Sequence, residues 1–281
     1  MNFHLGLIGY PLGHSLSPKI HTAALEACGL QGDYSLFPIH PDDKQGLKDL
    51  LSRIRSGEIT GLNVTIPHKQ NVIPLVDELS QIASYVRAVN TIYLRGDKLI
   101  GDNTDAPGFL SDLKKFLSQR ENSESMEKSA LVLGSGGSSR AATYALLKDG
   151  WHVVLAARRV QQAHLFTRFF TQYPLSVIDY SSVEQNLHSS SFSLLVNTTP
   201  LGMSPNIDQS PLPENIRLSV NTAIYDLVYN PRETKLVKDA RAQGLNAATG
   251  LGMLIEQAAL AFEKWTGHTP PREILYQAVE S

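Results

Sequence analysis

Short apolar runs alternate with stretches of helical periodicity along almost the whole chain, and that alternation confines the fold to layered α/β architecture with mostly parallel strands. At the front, HLGLIGYP reads as a buried strand ending in Gly-Tyr-Pro, followed by SLSPKIHTAALEACG as a helix. In this reading Ser17 caps the helix, Pro18 takes its first position and Gly29 ends it. Ile20, Ala23, Ala24 and Ala27 recur at helical spacing, so one face lies on a sheet. DYSLFPIH, a charged helical stretch from about Pro41 to Arg55, and GLNVTIPHK repeat the pattern. AVNTIYLRGDKLIGDNTD adds two short β-like segments around the turn Arg95-Gly96-Asp97. A helix from about Ala106 then runs into the polar stretch SQRENSESMEKS and bridges to a second domain.

There the alternation resumes: ALVLG, a helix from Ser138 to Lys148, HVVLAAR, a helix through Phe170, LSVIDY, SFSLLVNTTP and AIYDLVYNP. This is the pattern of a doubly wound nucleotide-binding sheet. A helix over Glu233 to Gln243 and a last long amphipathic one in GLGMLIEQAALAFEKWTG complete the chain, whose 281 residues suffice for two domains. The expected organisation is an α/β domain over residues 1–106, a Rossmann-like domain over 107–245 and a C-terminal helix within 246–281.

A formal net charge of −2, with both signs mixed along the chain, offers no broad basic surface, so neither nucleic acid nor membrane is an expected partner. Small molecules are. The single cysteine, Cys28, excludes an internal disulfide framework and is read as a buried small hydrophobe. The start MNFHLGLIGYPLG lacks a basic signal-peptide head, and no run reaches the roughly 18 apolar residues of a membrane span, which points to the cytoplasm. The nine histidines show no close ligand spacing, so no metal is expected.

In LVLGSGGSSR a strand delivers Gly134, Ser135, Gly136 and Gly137 into a tight turn before Ser138 and a helix. Glycines let phosphate oxygens approach main-chain N–H groups where the helix dipole favours an anion, so the loop is a candidate pyrophosphate cradle. The next strand ends in Arg158 and Arg159, where an NAD site places Asp or Glu. Guanidinium groups pair with a 2′-phosphate, so the cofactor called for is NADP. In the front domain, GHSLSP, NVTIPHK, AVNT and GDNTDAPG all lie at strand ends, where ligands of open parallel sheets bind. Their hydroxyls, amides, lysine and carboxylate suit a small, polyhydroxylated, anionic substrate.

These four motifs, with GSGGSSRAA, NTTPLGM, DLVYNP and GLGMLIEQ in this order, resemble the shikimate dehydrogenase family from about Ile8 to Gln257. The resemblance implies reversible NADP-dependent reduction of 3-dehydroshikimate to shikimate in aromatic amino acid biosynthesis, with residues 1–106, completed by the C-terminal helix of 246–281, as substrate-binding and catalytic domain and 107–245 as NADP-binding domain. It assigns the substrate carboxylate to Ser15 and Ser17, substrate hydroxyls to Asn63, Thr65, Asn90, Asp105 and Gln257, and a place near the carboxylate to Tyr229. Lys69 matches the catalytic lysine and Asp105 its partner. Thr198, Thr199, Met203, Gly250 and Met253 join the glycine loop and the two arginines as cofactor-binding positions. His14 and His68 flank site residues without matching a catalytic position.

One departure stands out: NADP-using members typically carry Asn-Arg-Thr where this chain has Ala157-Arg158-Arg159. Altered contacts to the adenosine phosphate are therefore expected. Two rival readings remain, a quinate or dual-substrate enzyme using NAD or both cofactors, and a catalytically silent NADP-binding regulator. Ser17, where quinate preference is associated with Thr, weighs toward shikimate; intact Lys69 and Asp105 weigh against silence. Monomer and homodimer are both compatible with the sequence.

Overall fold

The computed structural model describes residues 2–119, 127–214 and 216–280. The chain divides into two compact units, Met1–Gly108 with Ile255–Ser281, and Phe109–Leu254.

The first unit contains β1 (Asn2–Gly9), α1 (Ser17–Ala27), β2 (Gln31–Pro38), α2 (Lys44–Arg55) and β3 (Gly61–Val64), then β4 (Glu78–Leu79), α3 (Gln81–Val86), β5 (Thr91–Arg95) and β6 (Lys98–Asp102). Its sheet runs β2-β1-β3-β5-β6-β4. Pairs β1–β2, β1–β3 and β4–β6 are parallel, whereas β5 is antiparallel to both its neighbours. The expectation of a mostly parallel sheet holds around β1. The antiparallel β5–β6 pair follows from the Arg95-Gly96-Asp97 turn, which is too short for a crossover and joins the two strands as a hairpin. On one face Leu47, Leu50, Leu51 and Ile54 of α2 pack with Ile8, Leu62 and Ile92 of the strands. The periodicity of those leucines is what attaches the helix.

Two local expectations are corrected. Leu16 already has helical dihedrals, so Ser17 lies inside the first turn of α1 and caps nothing. Instead, Ser15 Oγ accepts from Ser17 N at 3.2 Å. Cys28 is only half-buried, because it occupies the C-cap position, with Gly29 following at φ +65°.

Helix α4 (Asp105–Ser118) and, later, α9 (Leu251–Thr266) each contain a boundary between the units. Asn103 Oδ1 accepts from Ala106 N at 3.1 Å and starts α4. Most of the polar stretch after it, residues 120–126, lies outside the described residues.

The second unit holds β7 (Ser129–Leu133), α5 (Gly137–Lys148), β8 (His152–Ala157), α6 (Val160–Thr167), β9 (Leu175–Asp179) and α7 (Val183–Ser189), then β10 (Leu194–Asn197), β11 (Ala223–Asp226), α8 (Lys235–Ala242) and β12 (Ala247–Thr249). All its strand pairs are parallel, in the order β12-β11-β10-β7-β8-β9. Read from β9, this is the doubly wound order 3-2-1-4-5-6, whose switch point lies between β7 and β10. Fully buried Leu131, Leu133, Leu195 and Ile224 form the centre of this sheet's core. β12 is too short and α7 too polar to register as hydrophobic pattern. The chain's last helix is α10 (Arg272–Glu280), beyond the long α9.

Candidate active site

In the first unit the polar motifs gather at the carboxyl ends of β1 and β3, on either side of that sheet's own change of winding direction. Asn63 occupies β3, Thr65 follows it, and Lys69 comes one turn later, where Val89 N donates to the Lys69 carbonyl at 2.7 Å. The Lys69 ammonium lies 2.6 Å from Asp105 Oδ2, with the lysine side chain 14% and the aspartate 6% exposed. Asp105 stands in the first turn of α4, where the helix dipole favours a carboxylate.

Asn90 organises the surroundings. Its Nδ2 lies 2.9 Å from Asp105 Oδ1, 2.9 Å from Thr104 Oγ1 and 3.2 Å from Gln257 Oε1, while its Oδ1 accepts from Thr104 N and Thr91 Oγ1 at 2.7 and 3.1 Å. Gln257 reaches this cluster from α9 because residue 108 is glycine: a Cβ there would come within 2.7 Å of the Gln257 backbone nitrogen. Lys69, Asp105, Asn90 and Gln257 are thus one hydrogen-bonded set. The buried Thr91 and Thr104 were not singled out from sequence; threonine is too common at strand ends to signal a second layer of support.

The other predicted substrate residues are placed as follows. Asn63 Oδ1 accepts from the buried Tyr34 hydroxyl at 2.8 Å, and its Nδ2 donates to the Asn90 carbonyl at 3.2 Å. Ser15 and Ser17 lie between β1 and α1, the first half-buried and the second buried. Thr65 is half-buried. His14 is exposed, and buried His68 is held by the Ile39 carbonyl at 2.7 Å. Tyr229 belongs to the second unit, where burial raises its phenol pKa above the usual range.

The glycine turn of the second unit sits at its switch point. Gly134 has φ +114°, and a Cβ there would meet Thr198 Oγ1 at 2.6 Å, so only glycine fits. Thr198 Oγ1 donates to the Leu133 carbonyl at 2.6 Å, and Thr199 N to Asn197 Oδ1 at 3.0 Å, which ties the two neighbouring loops together. Ser135, Gly137 and Ser138 are half-buried, whereas Gly136 is exposed and precedes α5 with no side-chain cap. Ser139 donates to the Gly134 carbonyl at 2.7 Å, which accounts for a hydroxyl residue at the third small position. Arg158 and Arg159 are exposed at the end of β8, beyond the fully buried Ala157. Met203 is exposed, while Gly250 and Met253 are buried.

Beneath these loops, Asp226 accepts from Asn197 Nδ2 at 2.8 Å, Thr234 Oγ1 at 2.6 Å and Val228 N at 3.1 Å. Burial outweighs the three donors and pushes its carboxyl up to about 6. Among the described residues no group of three or more His, Cys, Asp or Glu side chains could hold a metal ion, and no helix is long and apolar enough to cross a membrane.

Sheet order and glycine turn define the second unit as a member of the doubly wound, dinucleotide-binding class. Residues 7–92 match a family model described as the shikimate dehydrogenase substrate binding domain, and residues 250–280 one described as the shikimate 5'-dehydrogenase C-terminal domain. The shikimate dehydrogenase (NADP(+)) of Carboxydothermus hydrogenoformans is 37% identical over 274 residues, 98% of this chain and 95% of the relative. The crystal structure of Thermus thermophilus shikimate 5-dehydrogenase in complex with NADP(H) and shikimate is similar at a TM-score of 0.84 and 34% identity, covering 99% of this chain and 98% of that one. Quinate dehydrogenase from Corynebacterium glutamicum in complex with NAD is similar at a TM-score of 0.87 and 29% identity, covering 100% of this chain and 99% of that one. The chain belongs to the shikimate dehydrogenase family.

Proposed function

We propose that this chain is an NADP-dependent oxidoreductase that reversibly reduces 3-dehydroshikimate to shikimate in aromatic amino acid biosynthesis. The observation that carries the reading is the Lys69–Asp105 contact of 2.6 Å, inside the set made by Asn90 and Gln257. When bound, the reduced nicotinamide supplies the hydride. A ketone carbon that gains hydride leaves an alkoxide, and Lys69 stabilises that charge and donates the proton. Asp105 keeps the ammonium in place, and Asn90 keeps Asp105 in place. Ser15 and Ser17 bind the substrate carboxylate, with Tyr229 near it. Asn63, Thr65, Asn90, Asp105 and Gln257 hold the hydroxyls.

In this reading residues 1–106 with the C-terminal helical part of 246–281 form the substrate-binding and catalytic domain, and 107–245 the NADP domain, which also takes in residues 247–254 because β12 pairs with β11 in its sheet. The cofactor fits the residues present: Gly134 leaves no room for a side chain, the exposed backbone at Gly136 precedes an uncapped helix, and two exposed guanidinium groups follow β8. Ser135, Gly137, Ser138, Thr198, Thr199, Met203, Gly250 and Met253 complete the set. Every residue invoked comes from one chain, so the reading holds equally for a monomer and a homodimer. A cytoplasmic place suits the free Cys28 thiol.

A second reading, a quinate or dual-substrate enzyme using NAD or both cofactors, draws on one observation for its cofactor half: the buried Ala157 offers the adenosine phosphate nothing, so Arg158 and Arg159 alone must hold it. The test follows reduced-cofactor absorbance with shikimate or quinate, each with NADP or NAD. Rapid turnover of shikimate with NADP supports the first reading. Turnover of quinate only, or with NAD only, replaces it with the second, and binding without turnover of either acid revives a silent regulator.

A further inference from the structure

Beside the substrate residues lies a buried aromatic group to which the proposed reaction assigns no part. Tyr34 on β2 donates its hydroxyl to Asn63 Oδ1 on β3 at 2.8 Å. To do so it passes across β1, whose Leu5 and Leu7 are the register partners of Tyr34 and Asn63. The Ser17 hydroxyl lies beside the same phenol oxygen. Two substrate ligands from separate elements, Ser17 and Asn63, therefore share one buried neighbour.

The phenol is itself held by stacking. His21 of α1 lies parallel to the Tyr34 ring, with centroids 4.4 Å apart and planes at 3°, and Trp265 of α9 packs on His21 at 5.2 Å. Neither His21 ring nitrogen meets hydrogen-bond geometry with a partner among the described residues, although the Asn63 side chain lies beside the ring, and the His21 side chain is fully buried. Burial lowers the imidazole pKa to about 3, so the ring is a neutral plate at physiological pH.

An asparagine amide has two ends of nearly equal size, and only its partners decide which end faces a ligand. For Asn63, Tyr34 occupies the oxygen, while the nitrogen has the Asn90 carbonyl at 3.2 Å and only a weak contact with Thr91 Oγ1 at 3.5 Å. One N–H is thus left weakly engaged for a substrate hydroxyl.

We propose that Tyr34 is a positioning residue of the substrate site, fixing the Asn63 amide with its N–H toward the substrate. The inference rests on the reading of Asn63 as a substrate ligand. Tyr34→Phe keeps the stack on His21 and removes only the hydroxyl. It raises the KM for shikimate about tenfold, leaves the KM for NADP close to that of the parent and lowers the Tm by only a few degrees, as loss of one orienting hydrogen bond predicts. In the Asn63→Ala background, or Asn63→Ser if alanine does not fold, Tyr34→Phe adds less than about twofold, because the two act as a unit.

An unchanged shikimate KM in Tyr34→Phe, with a raised one in the Asn63 variant, overturns the positioning role alone. An unchanged KM in the Asn63 variant overturns the ligand assignment of Asn63, and the positioning role with it. A Tyr34→Phe protein that loses stability and weakens both ligands alike identifies Tyr34 as packing only, which also overturns the proposal.

Discussion

The two units build their candidate sites from different materials. In the first, side chains hold side chains: Lys69, Asp105, Asn90 and Gln257 are linked in series, Thr91 and Thr104 support Asn90 from buried positions, and buried Tyr34 holds the neighbouring Asn63. In the second, the backbone carries most of the geometry, through a glycine turn at the switch point of a parallel sheet, and charge is added by two exposed arginines. A site of interlocked side chains is pre-organised but intolerant, since removal of one member leaves others unpaired. A backbone cradle tolerates side-chain change except where a Cβ has no room. Exposed charges tune affinity in modest steps.

The largest effect expected from that contrast is at Lys69. Lys69→Ala lowers kcat by about 100- to 10,000-fold with a smaller change in the KM for shikimate, the range for loss of a positioned proton donor. Steady-state assays check it, and near-normal turnover would dissolve the distinction between the units. Next comes the one intolerant point of the backbone site. Gly134→Ala imposes a Cβ 2.6 Å from Thr198 Oγ1 at φ +114° and destabilises the protein by about 1–3 kcal/mol, with weakened NADP binding. Thermal unfolding with and without NADP measures both effects.

The pH dependence separates the units by sign. His21 has its folded pKa lowered to about 3 from an unfolded 6.5, so the unfolded chain binds more protons between those values. Its contribution to stability is present above 6.5 and is lost as pH falls toward 3. At about 1.4 kcal/mol per pH unit this amounts to about 2 kcal/mol between pH 7 and pH 5. Asp226 has its folded pKa raised to about 6 from 3.8, so its contribution is present below 3.8 and is lost as pH rises through 6. The two oppose each other between pH 4 and 6. Urea unfolding of His21→Phe at pH 7 and pH 5 should therefore show a smaller loss on acidification than the parent, and an equal loss would exclude His21 as the source.

The smallest effect concerns the arginines. Arg158→Ala or Arg159→Ala raises the KM for NADP about tenfold each and hardly changes that for NAD, as loss of one charge-assisted contact predicts. If both cofactors respond equally, the arginines do not read the 2′-phosphate.

Legibility in the sequence followed the same division. The glycine turn and the arginines were readable because they lie within one strand-turn-helix segment, where spacing alone carries the geometry. The motifs of the first unit were readable as motifs, and the resemblance assigned their roles. The supporting layer was not: Tyr34, His21 and Thr104 are ordinary residues in ordinary strand, helix and loop segments. Ser17 illustrates the limit from the other side, since a serine before proline reads as a helix cap, yet Leu16 takes the helical conformation and Ser15 bonds the backbone.

By itself the sequence determined what local physics controls: the alternation of strands and helices, the turn at Gly96, the parallel nucleotide-binding sheet and the residue types of both candidate sites. Only the tertiary structure decided which groups share hydrogen bonds. It paired β5 antiparallel with the distant β3, brought Gln257 to Asn90 across 167 residues of chain, and laid Tyr34 over β1 onto Asn63. Those choices depend on strand order and register between distant segments, and the energies that select them come from burying whole faces together rather than from any short stretch of residues.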